Sequence, residues 1–301
     1  MKKFLLPIII LALGTACNLQ QEVDLDLPEF EPQIVVESYL QPGQPYLLVL
    51  TESVGYFEDI RLQFLHDATV SIEFEGGSVE LGEFGIPLDF QIPGGAGIDT
   101  SLLQTLGPIV GDSLFVYTSF ALVPELYEKD FTLTIKTADG RDVTATTHIP
   151  APVSLDTMEY RFNDDSAAFV LTKFQDDGEK VNFYRLQLDE WISREVEDSN
   201  GQTVLEATRR EVFDFNIDDD IENGEQITVG TAFDYQVGDT LVSTLYHIPP
   251  EYYYFLETST AAIIANLSPF GQPASIQSNI EGGSGIFTGY SIRNRAVIIG
   301  E

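Results

Sequence analysis

FTLTIKTADGRDVTATTHI, residues 131–149, is the stretch that decides the fold class. Leu133, Ile135 and Thr137 alternate with Thr132, Thr134 and Lys136, which is the two-residue period of a half-buried strand. Asp139-Gly140 supplies a positive-φ turn, so the segment reads as a β-hairpin. Upstream, IVVESYL and YLLVLTES are strands divided by the turn-rich QPGQP. ATVSIEFE and SVELGEF flank Gly76-Gly77 as a second hairpin, and LFVYTSF is a further strand. Residues 85–112, rich in Gly and Pro, read as a long loop. Residues 34–150 therefore form an expected immunoglobulin-like β-sandwich.

Ile149-Pro150-Ala151-Pro152 marks the expected boundary, since two prolines stiffen a link and deny donors to a strand. Residues 151–301 read as a second β domain, and the whole chain as mainly β with two sandwich-like domains. AAFVLTKF and VNFYRLQLDEWIS open the second domain, separated by Asp176-Asp177-Gly178. A hairpin over about 192–213 turns at Ser199-Asn200-Gly201, and the acidic loop NIDDDIENGE follows. TAFDYQV and DTLVSTLYHI read as paired strands around Gly238. One helix is expected at 249–266, with Pro250 in its first turn. Tyr252, Phe255, Leu256, Ser259, Ala262, Ile263 and Asn266 share one side of it at helical spacing, as a core-facing stripe. GIFTGYSI and RAVIIG close the chain as strands.

The N-terminus, MKKFLLPIIILALGTAC, has the layout of a secretory signal: Lys2 and Lys3, an apolar run from Phe4 to Leu13 broken by Pro7, then small residues. As helix that run reaches about 15 Å, roughly half a bilayer core. Leu13-Gly14-Thr15-Ala16-Cys17 resembles a bacterial lipobox, in which the cysteine becomes the lipidated first residue. On this reading residues 1–16 are a signal peptide. Cys17, the chain's single cysteine, carries a thioether-linked diacylglycerol with a third acyl chain (such as palmitate) on its amine. Several acyl chains anchor stably where one does not. The competing reading is an ordinary signal peptide with a chance cysteine. Residues 17–33 form an acidic tether, in which Val23, Leu25 and Leu27 alternate as a possible edge strand.

The chain carries 15 bases against 48 acids, a formal charge of −33. Removal of Lys2 and Lys3 leaves 13 bases and a charge of −35. Such acidity repels phosphate and excludes nucleic acid as a partner. Solubility, or adaptation to salty surroundings, is the plain explanation.

His66, His148 and His247 are far apart in sequence, and Cys17 is committed to lipid, which speaks against a zinc site or a cysteine nucleophile. Gly111-Asp112-Ser113-Leu114 spells the GDSL signature of some esterases. Gln63, Ala145 and Thr244 stand where an Asp should precede each histidine, so it reads as a turn before a strand. Gly282-Gly283-Ser284-Gly285 lacks the Lys and the helix of a phosphate loop; Gly282, Gly283 and Gly285 are structural candidates for a tight bend. Asp218, Asp220 and Glu222 alternate as calcium ligands do, but Gly224 is one place late and Val229 stands where a loop-closing Glu belongs. A solvated acidic loop is the first reading there and a calcium site the second. No catalytic residue is assigned, although 48 acids allow many carboxylate pairs.

Four stretches carry a family resemblance: SNIEGGSGIFTGYS, TATTHIPAPVSLDTMEY, FQDDGEKVNFYRLQL and LSPFGQPASIQSNI. In order, they resemble the domain-of-unknown-function 4249 family over about residues 17–299, with NI-x-GG-x-G-x-F the most specific piece. The resemblance implies an outer-membrane lipoprotein, facing the exterior, often encoded beside a TonB-dependent transporter of the SusC-like type. It implies no catalytic residue. The expected function is an accessory or ligand-binding partner of such a transporter, not an enzyme. An adhesive or structural envelope protein, or a hydrolase with an unrecognised site, are the alternatives.

Overall fold

In the computed structural model the described residues are 30–55, 58–59, 61–87, 109–163, 167–197, 202–219, 223–267 and 274–300. The signal peptide, Cys17, the tether as far as residue 29, and loop residues 88–108 lie outside them. The described residues are mainly β, with one long helix and several sheets.

The first sheet contains β1 (Ile34–Leu40), β2 (Pro45–Glu52), β3 (Gln63–Phe64), β4 (Thr69–Phe74), β5 (Gly77–Pro87), β6 (Ser113–Leu122), β7 (Asp130–Lys136) and β8 (Asp142–His148). β5 turns the corner. Its first residues pair with β4 and its last with β6, so the sheet curls over on itself. Ile34, Val36, Leu48 and Leu50 of one layer meet Val70, Ile72, Leu133, Ile135 and Val143 of the other in one core. Each such side chain contributes roughly 1.5–3 kcal/mol by leaving water. The 131–149 hairpin forms with register Lys136↔Asp142. Its turn is a five-residue loop: Gly140 alone takes positive φ (+90°), while the Thr137 hydroxyl donates to the Arg141 carbonyl at 3.1 Å. The 85–112 segment is less loop than expected, because Gly85, Ile86 and Pro87 extend β5 along β6.

The chain changes sheets after Ile149–Pro152. β9 (Leu155–Phe162), β10 (Ala168–Gln175) and β13 (Gln226–Gly230) form a three-stranded sheet. β11 (Phe183–Glu197), β12 (Thr203–Asp218), β14 (Thr240–Ile248) and β16 (Ser291–Ile298) form a four-stranded one. Leu155, Val170 and Phe174 pack against Tyr184, Leu186, Leu188 and Leu245 between them. TAFDYQV is not a strand. Only Tyr235 bridges, to Ala168, because it alone is buried while Phe233 and Val237 face water. β14 pairs with β11 and β16 instead. The acidic loop is also shorter than its sequence suggests, since Asn216, Ile217 and Asp218 complete β12.

Helix α1 (Pro250–Leu267) starts with Glu251, which accepts a 2.7 Å bond from the Thr147 hydroxyl of β8. Tyr252 and Ala262 of the stripe are buried, but Ile263 is 64% exposed. The first turns of the helix join a core cluster, where Tyr252, Phe255 and Leu256 meet Phe183, Ile248 and Ile286.

One strand departs from a clean division at residue 150. β15 (Ser284–Gly289) returns to the first sheet and pairs in parallel with β1, from Val35↔Ser284 to Leu40↔Gly289. Just before it, Glu281 bridges Thr144 of β8, so the segment 279–289 closes the far edge of the curled sheet. The glycines make this approach feasible. A Cβ on Gly283 would lie 2.7 Å from the Ile34 carbonyl, and one on Gly289 2.6 Å from Ile149. Gly285 takes φ +107°, and its Cβ would collide with the Val36 carbonyl. Asn279 completes the seam, its side chain donating 2.7 Å to the Phe287 carbonyl and accepting 3.0 Å from the Phe287 amide.

Gly43 separates strain from collision, because it has φ +78° with open space around it. Gly43→Ala should cost about 1–2 kcal/mol for its left-handed backbone. Gly285→Ala, strained and blocked, should cost about 3 kcal/mol or more. Denaturant unfolding of the two variants measures both; equal losses would mean that the seam tolerates a side chain.

Candidate functional site

Three places in the described structure gather chemically distinctive side chains. The first is the outward face of β2, β5 and β6. Strand alternation turns Tyr46, Leu48 and Tyr117 into the core and Leu47, Phe84, Phe120 and Leu122 out. Phe120 is fully exposed and Phe84 is 59% exposed. Leu47 and Gly82 both pair with Thr118, so the flat glycine lies at the middle of the patch. Phe84 and Phe120 flank a cleft of about 560 Å³, with Glu80 and Glu83 at its rim. Glu83 also holds His66, which is therefore engaged on the surface.

The second place is the junction between β1, β11, β14 and α1. Arg185 forms a two-pronged ion pair with Asp214, donates 3.2 Å to Tyr252 Oη, and lies 5.4 Å from the centre of the Tyr246 ring. Tyr39 and Tyr290 pack on Tyr252 with ring centres 5.5 and 6.3 Å away. Two tyrosines, Tyr246 and Tyr252, thus touch the guanidinium, and Tyr39 and Tyr290 pack on Tyr252.

The third is a buried polar knot where β10 ends and β11 begins. Asp176 accepts from Tyr184 Oη at 2.5 Å and from the Gly224 amide at 2.7 Å. Asn182 donates to Asp176, and through both its backbone and side-chain nitrogens to Asp219. Burial pushes the Asp219 carboxyl up, and the neighbouring Asp176 adds to this. Burial acts the same way on Asp176, but the bonds from Tyr184 and Gly224 outweigh it and hold that carboxyl below its usual range.

Of the sequence candidates, Asp220 and Glu222 lie outside the described residues. Asp218 accepts a 3.1 Å bond from Tyr253 Oη of α1, while its neighbour Asp219 is the buried one. Asp219 is not among the sequence candidates. The usable signal was the pairing of Asp176-Asp177-Gly178 with Asn182 in FQDDGEKVN. Gly282, Gly283 and Gly285 lie in the β1–β15 seam. Ser113 starts β6 two residues after the positive-φ Gly111 and has no histidine partner in its turn. Among the described residues, no group of three or more His, Cys, Asp or Glu side chains gathers as a metal cluster. No described helix is long and apolar enough to cross a membrane.

This sandwich-like architecture, with its exposed apolar strip and buried polar knot, is that of a β scaffold. The chain belongs to the family described as Domain of unknown function (DUF4249), whose model matches residues 20–296. No curated protein matches it. Among solved structures it is similar to a DUF4785 family protein from Legionella pneumophila, at 12% identity and a TM-score of 0.23. That match covers 70% of this chain and 52% of the other, so the chain spans about half of that protein's length.

His247 is buried, and its Nδ1 donates to the Ala151 carbonyl at 2.6 Å. Burial holds the imidazole below its ordinary pKa, outweighing the Ala151 bond. The unfolded chain therefore takes up a proton before the folded one does. Stability from this residue is full above about pH 6.5 and is lost as the pH falls toward the lower folded value. The stability gap between wild type and His247→Gln should narrow between about pH 7.5 and 5. Urea midpoints across that range check it, and a constant gap would mean that His247 titrates alike in the folded and unfolded chain.

Proposed function

We propose that the protein is an outer-membrane lipoprotein, anchored through acylated Cys17, that docks on a TonB-dependent β-barrel transporter and helps it take up a solute. The observation that carries this is the exposed apolar strip of Leu47, Phe84, Phe120 and Leu122. A soluble surface that shows contiguous large apolar side chains beside a cleft marks a contact site. The acidic rim of Glu80 and Glu83, within a chain of formal charge −33, favours a partner face that is apolar at its centre and basic around it. The signal-like N-terminus and the family resemblance supply the membrane setting. The protein contributes a surface and no reaction, and the strip is the ligand-facing or transporter-facing part.

Purification from native outer membrane in mild detergent tests this. A TonB-dependent barrel, identified by mass, should co-purify in near-equal amount. Phe84→Asp/Phe120→Asp should lose it while the melting temperature stays within a few degrees, because both rings already face water. Cys17→Ser should abolish acyl labelling and release the protein from membranes. An unlipidated Cys17 in the mature protein would contradict the anchor. Recovery of the lipoprotein alone would contradict the partnership and favour a structural envelope role.

A further inference from the structure

The knot between β10 and β11 holds more acceptors than donors. Asp219 is wholly buried, Asn182 is 2% exposed and Asp176 4%. The two carboxyl groups lie within hydrogen-bonding reach of each other. Among the described residues no base forms an ion pair with either, and Lys180 turns to Glu128 at 2.9 Å. The amide nitrogen of Asn182 stands inside a shell of four oxygens: the Asp177 carbonyl at 2.8 Å, the Lys180 carbonyl at 3.0 Å, Asp176 Oδ1 at 3.1 Å and Asp219 Oδ2 at 3.3 Å. Two amide hydrogens thus face four acceptors, three of which also take a bond from Asn223, Tyr184 or the Asn182 backbone amide. Independently of that shell, Oδ1 of Asn182 and Oδ1 of Asp219 are buried and receive no hydrogen bond. A buried acceptor without a donor costs about 1–3 kcal/mol, and two adjacent carboxylates do not both ionise without a positive partner.

Carboxylates, an amide oxygen and main-chain carbonyls are the donor set of a hard cation. Calcium takes six to eight oxygens at about 2.3–2.6 Å, which sets neighbouring oxygens of one shell roughly 3 Å apart. All four oxygens stand 2.8–3.3 Å from the Asn182 amide nitrogen, the place that a turned-over Oδ1 would take. We propose that Asp176, Asn182, Asp219 and the carbonyls of Asp177 and Lys180 form a calcium site, with the Asn182 amide turned over to present Oδ1. The turn exchanges an overworked donor for a ligand. It gives the orphaned oxygens a partner and neutralises both carboxylates. The two loops pack closely here. A Cβ on Gly178 would stand 2.8 Å from the Gly224 Cα, and Gly224 in turn donates to Asp176. The site rests on its own observations and stands or falls apart from the apolar strip.

The test uses the full-length chain in mild detergent, stripped with EDTA, in about 150 mM salt to screen the acidic surface. Calcium at about a hundredfold excess over its dissociation constant should raise the melting temperature by about 5–10 °C, and EDTA should reverse the rise. Terbium luminescence excited through tyrosine should appear, because Tyr184 Oη touches Asp176. It should be displaced by calcium and vanish in Asp219→Asn. If that variant does not fold, the wild-type comparison alone decides. An identical melting temperature in EDTA and in calcium would overturn the site and leave a shared proton between the carboxyls. A calcium shift or terbium signal that survives in folded Asp219→Asn would overturn it too, by placing the ion on the surface acids.

Discussion

Close backbone contact between β15 and β1 is the constraint on which the rest of the structure depends. A parallel partner cannot be supplied by a neighbouring strand through a tight turn, so the chain must travel through its entire second half to return one. It arrives edge-on against carbonyls of Ile34 and Val36, where any Cβ would collide, and glycines occupy those positions. Closing the curled sheet in this way leaves little of its far edge unpaired, since Glu281 and β15 span the gap between β8 and β1.

The same return fixes the second half in place. β15 leads through Tyr290 straight into β16, an edge strand of the four-stranded sheet. Tyr290 therefore packs on Tyr246 of β14 and Tyr252 of α1, Tyr252 also meets Tyr39 of β1, and Arg185 touches Tyr246 and Tyr252. Thr147 of β8 bonding Glu251 of α1 ties the helix to the first sheet at the same junction. Residues 32–301 consequently form one compact unit, although their strands belong to three sheets.

Short-range features were legible in the sequence. Alternation between Leu133, Ile135 and their polar neighbours gave the hairpin, and Pro250 with a periodic stripe gave the helix. Features that depend on distant partners were not legible. Nothing near Ser284 announces that its partner is Val35 (the glycines report crowding, not its source). Tyr235 has the pattern of a strand, but its neighbours find no ladder to join. Ile263 keeps helical spacing with Tyr252, yet it faces water while its neighbour Ala262 is the buried one. Asp218 and Asp219 are chemically alike, and only the end of β12 beside α1 decides which one meets Tyr253 and which is buried with Asn182. The stretch FQDDGEKVNFYRLQL does not reveal that Asp176 faces inward while Asp177 and Glu179 stay exposed. The apolar strip was hidden for a similar reason: Phe84 and Phe120 look like core residues until the curl of the sheet turns them outward.

Native-state hydrogen exchange, followed peptide by peptide as denaturant is raised, tests most directly whether the β15–β1 seam joins the two halves. Amides of β1, β8, β15, β11 and β14 should reach exchange through one shared opening, with a common free energy and a common denaturant dependence. Exchange of β1–β8 through a separate, lower-energy opening, while β11 and β14 stay protected, would contradict the seam and leave two independently stable domains.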